Sequence, residues 1–141
     1  KPYALIVPGC APTRPEKRWS ATHYGTLCQK IAEQNIQAVL IGTKDEQEVC
    51  DNIASSCPET LNLCGKTKLF DIVPLARDAA FAVGNDTGPM HMIAPTECKT
   101  ITLFSGFSDP ERHRPLGDNV ITIQEQNIDD ITPERVFETI K

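Results

Sequence analysis

The sequence has no long apolar run, no excess of positive charge and no pair of cysteines at metal-binding spacing. No apolar stretch approaches the roughly 18 residues that cross a bilayer, which excludes a transmembrane helix. Lys and Arg number 14 against 19 Asp and Glu, so the formal charge is -5. A nucleic-acid-binding protein normally carries a basic face, and this charge balance disfavours that class. No basic segment precedes an apolar one near the start, so no signal peptide is expected.

The cysteines predict neither a zinc site nor a disulfide framework. They form no C-x-x-C pair and the three His residues are scattered, so no metal-ligand set and no cofactor are expected. Without a secretory signal, we expect the thiols to be reduced and mostly buried in a cytosolic chain. The six cysteines are Cys10, Cys28, Cys50, Cys57, Cys64 and Cys98.

Short apolar strands alternate with amphipathic helices along the 141 residues, of which 40% are hydrophobic. Continuous apolar runs are typical of parallel strands that are covered on both faces. The alternation predicts an α/β fold with a Rossmann-like doubly wound parallel sheet, and the length favours one domain over residues 1–141. The expected strands are 3–7, 38–42, 61–63, 79–83, 101–104 and 120–123.

Small polar residues mark the expected helix starts. A Ser, Thr or Asp side chain at this position accepts a hydrogen bond from a backbone N–H of the first turn. The segment T-K-D-E also fits a capping box, in which the Glu carboxylate returns a bond to the cap residue. The expected caps are Ser20, Thr43, Thr67, either Asp86 or Thr87 before a short helix over 90–94, and Thr132 before Pro133.

Three loops are expected at the carboxyl ends of the strands, where open parallel sheets bind ligands. The first, over residues 8–19, gathers three cations (Arg14, Lys17 and Arg18) and the indole of Trp19. Arg and Lys side chains together can hold a phosphate group. A solvated charge run, with Trp19 packed against the following helix, is an equal alternative.

The second loop, over 84–91, carries two glycines that let the backbone turn sharply and approach a ligand. A capped helix start offers free N–H groups to an anion, and His91 in its first turn can donate a further bond. An ordinary capped helix with an incidental His91 is the alternative. The third loop, from 104 to 110, either closes one side of a pocket or is simply exposed. The sequence has neither a Walker loop nor the G-x-G-x-x-G fingerprint after its first strand.

Taken in order, these segments resemble the C-terminal domain of glycosyltransferase family 9, the ADP-heptose:lipopolysaccharide heptosyltransferases. The matching motifs are P-G…P-E-K-R-W over 8–19, L-x-G-K-T-x-L over 63–69, V-G-N-D-T-G-P-M-H-M-I-A over 83–94 and L-F-S-G-F-S-D-P over 103–110. They cover nearly the whole chain, and the combination of K-R-W with D-T-G-P-x-H is fairly specific.

The resemblance implies the C-terminal, nucleotide-sugar-binding half of a two-domain GT-B enzyme, whose N-terminal acceptor domain is absent from this chain. Such enzymes transfer heptose from ADP-heptose to the lipopolysaccharide inner core with inversion at the anomeric carbon. The implied partners are ADP-heptose or another nucleotide sugar, and the lipopolysaccharide core through the missing domain. The implied location is the cytoplasm, at the inner face of the bacterial inner membrane. This fragment is expected to be inactive alone.

The resemblance also assigns roles by position. Lys17 and Asp86 are the expected catalytic residues, whereas the general base is an acidic residue of the absent domain. Lys17 would stabilise the leaving diphosphate without a metal, and Asp86 would accept sugar hydroxyls or orient Lys17. Glu46 is a candidate for the ribose. The expected donor-binding residues are Gly9, Thr13, Lys17, Glu46, Asp86, Thr87, Gly88 and His91.

Two other interpretations stay open at this point. A nucleotide-binding or regulatory α/β module without transferase activity would have the same fold. A member of the family that uses another nucleotide sugar would carry the same motifs, because no short motif for an adenine pocket is recognisable.

Overall fold

Six parallel strands form one sheet in this computed structural model, which describes residues 2–9, 18–106 and 115–140. Each strand pairs in parallel with its neighbour. The strands are β1 Tyr3–Val7, β2 Gln37–Leu40, β3 Leu61–Asn62, β4 Phe81–Asn85, β5 Thr100–Phe104 and β6 Val120–Gln124.

The helices of the described residues lie between these strands or after the last of them. The α-helices are α1 Ala21–Glu33, α2 Gln47–Ser56, α3 Leu69–Asp78, α4 Gly88–Ile93 and α5 Pro133–Ile140, and the short 3-10 turns are Lys44–Glu46, Ala94–Thr96 and Ile128–Asp130.

The strand order is β3-β2-β1-β4-β5-β6, which is the order of dinucleotide-binding Rossmann sheets. The chain leaves β1 towards one edge through β2 and β3, then returns to the other side of β1 through β4. A crevice therefore opens beyond the carboxyl ends of β1 and β4, where successive connections diverge. The predicted doubly wound parallel sheet is confirmed.

The sheet is covered by apolar helix faces on both sides. Ala4 and Ile6 of β1 pack in one cluster with α1, α2 and α5, whereas Leu5 and Val7 pack in another with α3 and α4. This alternation follows from the two-residue period of a strand. Burying a leucine or isoleucine side chain stabilises the fold by about 1.5–3 kcal/mol, so β1 is a major contributor.

The predicted capping residues are confirmed at three helix starts and wrong at α3. Before α5, the Thr132 hydroxyl accepts from the Arg135 backbone N–H at 3.1 Å. Ser20 accepts a bond from the His23 backbone N–H at 3.2 Å, and the Thr43 capping box is complete. The cap of α3 is Lys68 rather than Thr67. The Asp71 carboxylate accepts from the Lys68 backbone N–H at 2.7 Å, and this bond fixes the helix start one residue later.

The bounds of β4 differ from the prediction by two residues at each end. Its start is delayed because Ala79 still terminates α3, through a bond from its N–H to the Ala76 carbonyl. Its end is extended because Gly84 and Asn85 stay paired with β5, although both residue types are poor strand formers.

The cysteines follow the prediction for the residues that the structure describes. Cys28, Cys50, Cys57, Cys64 and Cys98 are free thiols and all are buried, whereas Cys10 lies outside the described residues. In the same part of the chain, no helix combines the length and apolar character needed to cross a membrane.

Candidate ligand-binding cleft

A cleft of about 350 Å³ lies at the carboxyl ends of β1 and β4. The turn that follows β2 contributes one of its walls. Parallel α/β sheets bind ligands at this place, so the location agrees with the sequence-based prediction. The cleft is lined by Val7, Gly9, Glu46, Asp86, Thr87, Gly88 and Pro89.

Asp86 directly follows β4 and places a carboxylate in the cleft. Its side chain is 9% exposed, and its Oδ1 lies 3.8 Å from Nε2 of His91. His91 is 47% exposed and stands on α4 beside the cleft, without lining it. A protonated His91 would therefore offset part of the negative charge of Asp86.

Thr87 is the N-cap residue of α4, but its side chain makes no capping bond. Of the two expected caps, Thr87 therefore holds the N-cap position without the expected side-chain bond. Oγ1 of Thr87 is buried and has no hydrogen-bond partner among the described residues. Buried polar groups in native proteins are almost always paired, so this hydroxyl is available to a group that enters the cleft.

Two glycines of the cleft, Gly9 and Gly88, differ in the space around their Cα atoms. A Cβ atom at Gly9 would lie only 2.5 Å from Oε1 of Glu46, so the Gly9 backbone already packs against that side chain. A Cβ atom at Gly88 would meet no described atom within 4 Å. A ligand can therefore approach the backbone at Gly88, as the sequence predicted.

Glu46 stands between the cleft and a second, more apolar groove. Its Oε1 accepts from the Thr43 backbone N–H at 3.3 Å and its Oε2 from the Thr43 hydroxyl at 2.5 Å. These bonds fix the carboxylate in place. The groove measures about 190 Å³ and is lined by Ile41, Gly42, Thr43, Glu46, Thr67, Lys68, Leu69, Ile72 and Pro89.

A buried thiol supports the turn that carries Glu46. The Sγ of Cys64 donates to the Thr43 carbonyl at 3.0 Å. Burial raises the pKa of Cys64, and also that of the neighbouring Cys50. Both thiols stay protonated at neutral pH, so they act as structural groups and not as nucleophiles.

Asn85 is a residue of this region that the sequence did not single out. It is fully buried at the end of β4, beside the cleft but not in its lining. Its side chain bonds to residues on both flanks of the first loop. A signal was present in the sequence, since an amide residue at the end of an otherwise apolar strand needs buried partners.

The comparisons with known proteins agree with this geometry. The family model for Glycosyltransferase family 9 (heptosyltransferase) matches residues 1–139. The chain belongs to glycosyltransferase family 9. It is 30% identical to lipooligosaccharide heptosyltransferase 2 of Haemophilus influenzae, over 99% of this chain and 46% of that protein.

Solved structures of family 9 heptosyltransferases have the same fold. The Escherichia coli ADP-heptose LPS heptosyltransferase II has a TM-score of 0.89 and 30% identity, over 97% of this chain and 44% of that one. An Escherichia coli heptosyltransferase with ADP has a TM-score of 0.87 and 26% identity, over 98% and 43%. The family 9 chain described here therefore spans less than half the length of these relatives.

The structure places only part of the predicted family 9 site. It brings Gly9, Glu46, Asp86, Thr87 and Gly88 together around one cleft, with His91 next to it. Thr13 and Lys17 lie outside the described residues, so their roles stay predictions. Residues 107–110 of the third loop are also outside them.

The first loop ends in a packed structural residue. Trp19 is fully buried, its Nε1 donates to the Ile131 carbonyl at 2.8 Å, and its ring meets Tyr24 edge-on at 4.8 Å. Of the two interpretations of this loop, the one in which Trp19 packs against the following helix is right for this side chain, so the indole is unavailable for stacking on a ligand.

Proposed function

We propose that this chain is the nucleotide-sugar-binding domain of a heptosyltransferase. The donor would be ADP-heptose and the acceptor the lipopolysaccharide core, bound by a separate N-terminal domain. The observation that carries the proposal is the cleft itself. It combines a fixed carboxylate, an unpartnered buried hydroxyl and an open glycine backbone, in a fold shared with a heptosyltransferase that was solved with ADP.

The two cavities suggest how ADP would lie. The apolar groove beside Leu69 and Ile72 suits a nucleobase, whereas the more polar cleft suits a diphosphate. Glu46 and Pro89 line both cavities, so a ribose would lie at their junction. The fixed carboxylate of Glu46 is an acceptor for ribose hydroxyls. The groove thus supplies a candidate adenine site, for which no short sequence motif was recognisable.

The transfer would proceed by displacement at the anomeric carbon of the heptose. The acceptor oxygen forms the new bond, the bond to the diphosphate oxygen breaks, and ADP leaves with the electron pair. A base of the N-terminal domain takes the hydroxyl proton. In this domain Lys17 and the Thr87 hydroxyl would stabilise the negative charge on the leaving diphosphate. Asp86 would bind sugar hydroxyls or orient Lys17, because a carboxylate touching phosphate would be repelled.

Calorimetric titration of the chain with ADP, UDP and ADP-heptose tests the proposal, together with the Lys17→Ala variant. We expect the adenine ligands to bind more tightly than UDP and Lys17→Ala to weaken them. Tighter binding of UDP would instead support a family member that uses another nucleotide sugar.

By the same family resemblance, the complete enzyme would act in the cytoplasm, at the inner face of the inner membrane.

Thr87→Val gives a sharper test of the cleft. Valine has nearly the same shape and removes a hydroxyl that has no partner among the described residues. We expect the urea midpoint of unfolding to stay the same or rise, while the Kd for ADP increases by about threefold or more. An unchanged Kd would contradict a ligand-binding role for this hydroxyl.

A further inference from the structure

The side-chain amide of Asn85 joins segments that are far apart in the sequence. Its oxygen accepts from the Tyr24 hydroxyl at 2.8 Å and from the Trp19 backbone N–H at 3.1 Å. Its nitrogen donates to the carbonyls of Pro8 at 2.8 Å and Gly9 at 3.3 Å. One fully buried residue therefore connects the end of β1, the start of α1 and the end of β4.

These bonds determine the width of the cleft. Gly9 forms one of its walls, and Asp86 and Thr87, which directly follow Asn85, form another. The bond from Asn85 to the Gly9 carbonyl is a direct link between the two walls. On the side where a Cβ would project, the Glu46 side chain packs against Gly9.

The residue type at this position also indicates a specific role. Asparagine is disfavoured in strand interiors, and the preceding β4 residues are apolar or glycine. An aliphatic residue would suit the buried strand end. It would leave the Trp19 N–H and the carbonyls of Pro8 and Gly9 without their hydrogen bonds to the Asn85 side chain. The sequence therefore retains a polar side chain where sheet stability alone favours an apolar one.

We propose that Asn85 is a positioning residue for donor binding. It holds the Gly9 backbone at the distance from Asp86 and Thr87 that a nucleoside diphosphate requires. Asn85 does not line the cleft, so it acts through these neighbours. The inference rests on the proposed function, since it takes a nucleoside diphosphate as the ligand.

The test compares two variants with a matched control. Asn85→Ala removes all four bonds, and Tyr24→Phe removes the bond from the Tyr24 hydroxyl to Asn85. The control is Thr100→Val, which removes another fully buried bond, from the Thr100 hydroxyl to the Cys98 carbonyl at 2.7 Å. Thr100 starts β5, at the opposite end of the sheet from the cleft.

The measurements are the Kd for ADP by calorimetry and the urea midpoint of unfolding. We expect Asn85→Ala to raise the Kd roughly tenfold or more, because misplaced binding groups lose much of their contribution. Tyr24→Phe should raise it about threefold, the effect of one hydrogen bond. Thr100→Val should lower the midpoint and leave the Kd unchanged.

Each result distinguishes the inference from the proposed function. An unchanged Kd in a folded Asn85→Ala protein, or a Kd that rises equally in Thr100→Val, would overturn the positioning role. Should Asn85→Ala fail to fold, Tyr24→Phe decides, and an unchanged Kd there overturns the inference. Absence of ADP binding by the unaltered chain would instead contradict the proposed function, and the inference with it.

Discussion

Single residues of the cleft differ in whether they serve the fold or the ligand. Gly84 and Gly88 flank Asp86 at short range in the sequence, yet their surroundings are opposite. A Cβ atom at Gly84 would lie 2.7 Å from Sδ of Met90 and 2.8 Å from the Val7 carbonyl oxygen. At Gly88, which lines the cleft, the same atom would meet no described atom within 4 Å. Packing explains the first glycine, whereas the second lies in open space.

This contrast predicts opposite results for two alanine substitutions. Gly84→Ala should lower the free energy of unfolding by about 1–3 kcal/mol, because the backbone of β1 and the side chain of α4 must move apart. Gly88→Ala should leave it unchanged and weaken ADP binding, since a methyl group then occupies the cleft. Urea unfolding and calorimetry measure both quantities. A large loss of stability in Gly88→Ala would contradict the described geometry.

Sequence reasoning found the residues whose chemistry is visible locally. Asp86 and Thr87 directly follow an apolar strand and open a helix, so the local sequence singles them out. Glu46 is locally visible only as part of a capping box, and its place in the site comes from the family resemblance. Asn85 was missed because its partners lie 61 to 77 residues away and only the folded chain brings them together. The apolar groove was missed for the same reason, since its walls come from several separate segments.

At the scale of elements, prediction succeeded where a few consecutive residues decide the outcome. Ser20 and the Thr43 capping box lie within one helical turn of the groups that they satisfy. The bounds of β4 instead depend on pairing with β1 and β5, which holds Gly84 and Asn85 in the sheet against their own preferences. Local propensity therefore placed this strand too early.

Helix α3 contains a proline in its interior, at position 74. Proline has no N–H to donate to the Phe70 carbonyl four residues earlier, and its ring crowds that carbonyl. Because Pro74 is exposed, alanine can replace it without leaving a cavity. We expect Pro74→Ala to raise the free energy of unfolding by about 1 kcal/mol or more. A lower free energy of unfolding in urea would show the opposite balance: proline would then destabilise the unfolded chain, by restricting it, more than it destabilises the helix.

At the scale of the whole molecule, helices cover both faces of the sheet and bury several thiols. Burial keeps these thiols protonated to a higher pH than free thiols. Burial raises the pKa of Cys28 to about 12 and that of Cys98 to about 11, against 9.0 for a free thiol. Above about pH 9 the unfolded chain has lost these protons and the folded chain keeps them. Unfolding then releases protons, so the free energy of unfolding falls as the pH rises.

Each such thiol should contribute a decline of about 1.4 kcal/mol per pH unit above its unfolded pKa. Urea unfolding under reducing conditions, at about pH 8 and about pH 10, measures the decline. Cys28→Ala is the matched comparison. It should be less stable at the lower pH but decline less steeply, and an equal slope in both proteins would argue against a buried neutral Cys28.

The bonds of Asn85 also determine when the cleft forms during folding. Its four partners belong to the first quarter of the chain, whereas Asn85 follows only after three strands and three helices have been added. Contacts of such long range form slowly, because a large loop must close first. A growing chain therefore lacks the complete cleft until β4 docks beside β1. Nucleotide binding would thus report completed folding, and a nucleotide added during refolding should stabilise only molecules that have reached that stage.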